Sequence, residues 1–502
     1  MKDLQHRQQA LLNDLEQNIE EIQSYLGNCS DLILRRFDVG ENRVAVIHID
    51  GISNTEMIQQ FIIAPIQTLK NTERLSFSML FRYLNEDTIA ISDIKTETNW
   101  DNTLRSVLAG NTIILLDGVA EAMLAGTRKV EGRSIAESTT QTLVRGPKDS
   151  FTESLRTNTA LIRMRMTDPQ LRIDALQIGQ VTHTDLAILY IQDIAKPSLV
   201  SAVKKRLKAI SIDAILESGY LEPFIQDKKF SLFPTILNTE RPDVVTANLL
   251  EGRVAIIING TPFALIAPAT FFQFFQSPED YYQHYDISSL LRILRIGAFF
   301  AAMLAPAIYI ALTTQHQAML PTALVINIAS QREGVPFPTI VEAFMMEIAF
   351  ELLREAGIRM PRAVGQAGAI VGALILGQTA VQAGVVSAAT IIVVSLTAIA
   401  SLTIPYYNIT ITARLLRFLS MLTAGFLGLY GIVLFLLVLG TYICTISSFG
   451  VPYLTPVTPF ILDEQKDTFL RLPIPFLRKR PSTGRRGNKM RMGQLSGEED
   501  ES

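Results

Sequence analysis

Glu347, Glu351 and Glu355 are the side chains best spaced to act together, one every four residues. At about 100° per residue they fall on a single narrow helical stripe, while Val341, Met345, Ile348, Ala349, Leu352 and Leu353 cover most of the remaining circumference. Such a helix shows a thin wedge to water and turns the rest toward protein or lipid. If several copies surround an axis, the carboxylates become acidic rings that concentrate cations at a pore. The same pattern fits a helix lying in a membrane interface with its acids toward water. Downstream, Gly365, Gly368, Gly372 and Gly377, with Ala369 and Ala373, give the small-xxx-small spacing that lets helices approach closely. Gln366, Gln378 and Gln382 add uncharged polar groups there, suited to interhelical hydrogen bonds or a wet lumen.

Nothing in the chain is arranged for catalysis. It has no GxxxxGK(S/T) loop, no HExxH and no GxSxG, and its five histidines, His6, His48, His183, His284 and His316, lack metal-ligand spacing. Arg145-Gly-Pro-Lys148 is the best anion-site candidate and reads more simply as a solvated turn at a domain junction. Two isolated cysteines, Cys29 and Cys444, make neither a disulfide framework nor a Cys-rich metal site. No enzymatic activity, cofactor, metal or nucleic-acid partner is expected.

The glutamates must be positioned by their own segment. Thr339-Ile-Val-Glu342 reads as a capping box, and Gly357 with Pro361 as a stop, which predicts one helix from Ile340 to Ala356 of about 25 Å. Around it charge is excluded: no Asp, Glu, Lys or Arg occurs in Ile296–Gln331, Ala363–Ala413 or Phe418–Leu462. About 20 apolar residues cross the roughly 30 Å of hydrocarbon in a bilayer, so residues 287–462 are expected to form a polytopic all-α membrane domain of four to six passages, some broken or re-entrant. The passages fall at about Ile296–Leu312, with Pro306 inside it, then Gly365–Gln382, Val385–Ile404 and Phe418–Ile446. Ala318–Ser330 is short and broken by Pro321, and Ser447–Leu462 carries Pro452, Pro456 and Pro459. Placing basic residues inside puts Arg332, Arg354, Arg359 and Arg362 on the cytoplasmic face together with Arg414 and Arg417. Four clean passages put the last two outside and six require broken helices, so the sequence leaves both counts open.

The amino-terminal part is soluble in character. Residues 1–29 read as an amphipathic helix from about Met1 to Leu26 ended by Gly27, and the charged start carries no signal-peptide core, which predicts a cytoplasmic soluble region. Two α/β subdomains follow, 30–146 and 147–286. The first has strands at Arg43–Ile49 and Thr112–Leu116 and a helical run over Asn54–Leu69. The second has a strand at Leu161–Met166, where Arg163 and Arg165 alternate with apolar residues, another at Asp185–Gln192, and a helix at Ser198–Ile210. Val254–Ala267 places Asn259-Gly260 between two apolar runs, which predicts a hairpin. Residues 463–502, basic from Arg471 to Arg491 and ending in an acidic cap, are expected to be a disordered cytoplasmic tail.

Four blocks, 336–361, 365–384, 145–165 and 251–282, carry a resemblance. PFPTIVEAFMMEIAFELLREAGIRMP with GQAGAIVGALILGQTAVQAG, and upstream RGPKDSFTESLRTNTALIRMR and EGRVAIIINGTPFALIAPATFFQFFQSPEDYY, resemble the A subunits of GerA-type spore germinant receptors over about Asp31 to Leu462. The resemblance implies a protein of the spore inner membrane working with a transporter-like B subunit that binds the nutrient and a lipoprotein C subunit. It further implies a homo-oligomer that conducts ions when the receptor is triggered. A non-conducting scaffold or signal-relay subunit is the alternative, favoured by the absence of charge inside the long apolar runs.

Overall fold

The computed structural model describes residues 10–40, 42–69, 76–129, 137–138, 140–360, 372, 375 and 377–492. They form two compact units, the first from the ranges 1–229, 236–268 and 478–502, the second from 230–235 and 269–477.

The first unit is α/β, as expected, and is built twice to one plan. Helix α1 (Leu15–Leu26) is followed by β1 (Leu32–Val39), β2 (Asn42–Ile49), β3 (Ile94–Glu97), α2 (Trp100–Leu108), β4 (Thr112–Leu116) and β5 (Ala122–Ala125). The plan recurs as α3 (Leu155–Arg165), β6 (Leu171–Ile178), β7 (Thr184–Ile191), α4 (Pro197–Lys208), β8 (Leu237–Thr239), α5 (Pro242–Leu250), β9 (Val254–Ile258) and β10 (Ala264–Ala267). Both sheets are antiparallel, and their orders, β1-β2-β4-β5-β3 and β6-β7-β9-β10-β8, trace the same path.

The hydrogen bonds repeat with the topology. The Asn18 amide accepts from the Leu12 N–H (3.0 Å) and donates to the Leu12 carbonyl (2.7 Å); Asn158 does the same with Thr152 (2.7 and 2.6 Å). At the hairpin turns, Asp117 accepts from the first N–H of α1 at Leu15 (3.2 Å), and Asn259 from the first N–H of α3 at Leu155 (3.1 Å). Each therefore satisfies an amide that a helix start leaves unpaired. The following glycines, Gly118 and Gly260, donate to the carbonyls of Asn13 (2.8 Å) and Glu153 (2.7 Å). The soluble region is an internal tandem repeat.

Several predicted elements form where the sequence places them. In β2, Val44 and Val46 join a core with Ile58, Ile62, Ile66 and Leu80, while Ala45, Ile47 and Ile49 meet Leu15, Ile19 and Ile22 of α1 and Trp100 and Leu104 of α2. The alternation is real, yet both faces are covered. The predicted hairpin joins β9 to β10 through residues 259–263, a longer connection than the two-residue turn that Asn-Gly alone suggests.

Three expectations are corrected. Leu161–Met166 is not a strand but the end of α3, whose N-cap Ser154 accepts from Thr157 N–H. The alternating arginines do not mark a water face: Arg163 is buried against Asp31, and Arg165 pairs with Asp149. The amino-terminal helix begins only at Leu15, because Asp14 accepts from the N–H groups of Glu16 (2.9 Å) and Gln17 (3.2 Å) and caps it there; Met1–Gln9 lie outside the described residues. The basic segment is ordered from residue 478 to 492, since its backbone groups find partners in the second repeat.

One carboxyl of this unit is far from its ordinary state. Burial, and then the neighbouring Glu217 charge, push Glu222 up to about 7 from an ordinary 4.5. The folded chain thus holds a proton that the unfolded chain releases near pH 4.5, so this group costs stability as pH rises through about 4.5 to 7. Glu222→Gln is expected to stabilise the protein at pH 8 by about 2 kcal/mol and to change nothing at pH 4, read as thermal midpoints at the two pH values.

The second unit is helical: α6 (Tyr285–Thr314), α7 (Thr322–Arg332), α8 (Thr339–Arg359), α9 (Ala388–Leu402) and α10 (Tyr407–Cys444). Among the described residues, α6 and α10 are long and apolar enough to cross a membrane. The passage expected over Gly365–Gln382 lies mostly outside the described residues, with 377–382 helical. Arg292 and Arg295, which precede the first charge-free run, are buried in α6. Arg292 lies 3.3 Å from Asp280 and 2.9 Å from Asp467, and Arg295 lies 2.7 Å from Asp280. Helix α10 begins eleven residues before the expected Phe418 and so takes in Arg414 and Arg417. Gly428 (φ 62°, ψ −141°) breaks it, and the Gln315 amide donates to the carbonyls of Gly425 (3.2 Å) and Phe426 (2.9 Å) beside the break.

Candidate functional site

Helix α8 presents its acids to two neighbours and to solvent in turn. Glu347 is buried against Arg417 of α10, the two side chains being 2% and 4% exposed. One turn later Glu351, 39% exposed, pairs with Arg414, whose guanidinium lies 5.4 Å from the Tyr407 ring. Among the described residues Glu355 pairs with Arg359 of its own helix (2.6 Å), and both are exposed. The predicted stripe therefore exists but grades from buried to wet. Its upper two carboxylates face arginines three residues apart on α10, a spacing that puts both guanidinium groups on one helix face.

Helix α8 starts differently from its prediction. Pro338 occupies the N-cap, so Thr339 and Glu342 do not form the expected capping box, and the helix runs past Gly357 to Arg359. Glu342 is fully buried and works elsewhere: it accepts from Ser387 N–H (2.9 Å), Thr390 Oγ1 (3.1 Å) and Arg332 Nε (3.3 Å). It thereby holds the start of α9, where Ser387 is the N-cap. Further along α8, Arg354 donates to Ser401 of α9 (2.7 Å).

Small side chains bring these helices close. Ala307, Ile310 and Ala311 of α6 pack with Ala343 of α8 and with Met421, Ala424 and Ile432 of α10. A Cβ at Gly425 would collide with Ile340 Cδ1, and one at Gly372 would lie 3.0 Å from Leu353. Gln378 is exposed. Gly368 and Gln366 lie outside the described residues.

Chemically the site is a charge seam in apolar surroundings. A buried ion pair recovers its desolvation cost only when its remaining hydrogen-bond capacity is filled. Here Glu347 Oε1, Arg417 Nε and Arg414 Nε have no hydrogen-bond partner among the described residues. The seam is held by charge without being saturated. Its cationic half was the part that residue spacing on α8 could not reveal. The signal was the pair Arg414 and Arg417 itself, two charges interrupting otherwise charge-free sequence.

Comparison with known proteins places this architecture. The family model described as Bacillus/Clostridium GerA spore germination protein matches residues 20–483. Spore germination protein KA of Bacillus subtilis (strain 168) is 46% identical over 486 residues, covering 96% of this chain and 88% of that protein. Spore germination protein GerLA of Bacillus cereus is 39% identical, covering 94% and 96%. The uncharacterized membrane protein YfkQ of Bacillus subtilis (strain 168) is 42% identical, covering 100% and 97%. Among solved structures, the N-terminal domain of the A subunit of the Bacillus megaterium spore germinant receptor GerK3 is 36% identical, covers 53% of this chain and 98% of that one, and has a TM-score of 0.42. With a match over nearly its whole length, the chain belongs to the Bacillus/Clostridium GerA family of spore germination proteins.

Proposed function

We propose that this chain is the A subunit of a nutrient-sensing germinant receptor, a multi-pass protein of the spore inner membrane that assembles in several copies as a nutrient-gated cation channel. A transporter-like B subunit and a lipoprotein C subunit complete the receptor, and the soluble repeats and the basic segment lie on the spore-core side. The observation that carries the reading is the graded seam of Glu347, Glu351 and Glu355 against Arg417 and Arg414. In the paired state the arginines neutralise the acids. A slip of α10 by one helical turn, about 5.4 Å, brings Arg417 to Glu351 and frees Glu347. Unpaired carboxylates at a shared axis then attract cations.

Spores carrying Glu347→Gln and Glu351→Gln together with Arg417→Met and Arg414→Met, so that no buried arginine is left without its partner, are expected to release monovalent cations several-fold more slowly on nutrient addition, with the protein still present and assembled by immunoblot and native gel. Unchanged efflux removes the acidic path. The neutralising arginines also favour a second reading, a non-conducting scaffold in which the seam merely locks helices together. Conductance of the purified, reconstituted oligomer separates the two.

A further inference from the structure

In the first repeat the chain leaves β5 and pairs at once against the turn that follows β2. Asn54 N–H donates to the Thr127 carbonyl (2.7 Å), Lys129 N–H donates to the Ile52 carbonyl (2.8 Å), and Ser53 and Arg128 form an antiparallel bridge between them. Gly110, at φ +100°, lies beneath this segment, where a Cβ would be 3.2 Å from Arg128.

The second repeat cannot close this way, because after β10 the chain passes at Pro268 into the other unit. Its turn after β7 is nevertheless paired. Lys196 N–H donates to the Gly484 carbonyl (2.9 Å), Arg486 N–H donates to the Ile194 carbonyl (2.6 Å), and Ala195 and Arg485 form the bridge. Gly252, the counterpart of Gly110 at φ +87°, lies beneath: a Cβ there would be 2.8 Å from the Gly484 carbonyl oxygen. Bond for bond, Gly484–Arg486 takes the role that Thr127–Lys129 plays in the first repeat.

We propose that the groove along Ile194–Lys196 is a segment-binding site, vacated when the chain departs after β10, and that the basic carboxy-terminal segment of the same chain is its occupant. Two features set its selectivity. A Cβ at position 484 would lie 2.5 Å from the Gly252 carbonyl oxygen, so the centre of the segment must be glycine. Basic residues flank it where α5 ends: Arg480 donates to the Leu250 carbonyl (2.5 Å) and Arg491 pairs with Glu251 (2.9 Å). Cations are favoured at a helix carboxy terminus, whose last carbonyls lack partners. The Lys196 ammonium adds a clasp, donating to the carbonyls of Ser482 (2.9 Å) and Thr483 (3.3 Å). The segment also braces itself, with Arg480 N–H bonded to the Lys489 carbonyl (2.9 Å) and Arg491 N–H to the Arg478 carbonyl (2.7 Å). Two of its basic side chains, Arg480 and Arg491, are used in this docking.

The test uses full-length protein in detergent and hydrogen exchange at the Lys196 amide. Gly484→Val is expected to speed that exchange about tenfold or more, as loss of the paired segment opens the site. Gly487→Val, at a position where a Cβ meets nothing within 4 Å, should leave it unchanged. A chain stopped after Leu477 should show the same loss, restored by a synthetic peptide of residues 478–492 and not by a scrambled peptide of equal charge. Equal exchange in wild type and Gly484→Val overturns the proposal. Equal restoration by the scrambled peptide overturns the selectivity and leaves charge alone as the cause.

Discussion

Arg417→Met is expected to destabilise the helical unit by about 3–5 kcal/mol, the usual cost of leaving one buried charge without its partner. Glu347 would then be a carboxylate 2% exposed with no compensating cation. Adding Glu347→Gln should recover most of that loss, because the double variant buries no net charge and keeps the side-chain volumes. The double variant serves as the check that volume alone is not responsible. The measurement is the thermal or denaturant midpoint of detergent-solubilised protein for the wild type, the two single variants and the double variant. A loss below about 1 kcal/mol for Arg417→Met would mean that the pair behaves as a solvated surface pair.

Arg163→Leu should be comparably severe in the soluble unit. Its guanidinium grips Asp31 with two bonds, Nε at 2.7 Å and Nη2 at 3.2 Å, both side chains being almost wholly buried. Arg163 belongs to α3 of the second repeat and Asp31 precedes β1 of the first, so the pair joins the two copies. Ser30 N–H bonded to the Ile173 carbonyl (3.1 Å) and Arg172 bonded to the Tyr25 carbonyl (3.3 Å) lie along the same junction. The expected loss is again about 3–5 kcal/mol. Arg43→Met provides the contrast: Arg43 meets Asp117 at 2.9 Å but is half exposed, and its removal should cost far less than that of Arg163. Equal losses for the two variants would show that burial is not what makes the Arg163 pair strong.

How much of this was legible beforehand depended on whether a signal was local. Strand β4 and helix α4 carry their period and their boundaries within a dozen residues, and both appear where composition puts them. The charge-free runs likewise announced the apolar helices α6 and α10. The segment Leu161–Met166 misled because its polar positions are consumed by partners elsewhere in the chain, Asp31 and Asp149, so alternation did not report water. The acids of α8 were visible as a stripe, yet their meaning depends on Arg414 and Arg417, more than sixty residues away in sequence. The tandem repeat was hidden for a related reason. It survives as matched hydrogen-bond roles, Asn18 with Asn158 and Asp117 with Asn259, set in sequence that otherwise differs.

The break at Gly428 has a metric consequence. A continuous α10 would be a rod of about 57 Å, nearly twice the hydrocarbon thickness of a bilayer. Divided there, it becomes a leading piece of about 32 Å from Tyr407 and a trailing piece of about 24 Å to Cys444, each with its own heading. The leading piece carries the arginines of the seam and is long enough to traverse lipid alone. The trailing piece is too short to do so even upright, so any crossing of lipid by this helix rests on the leading piece.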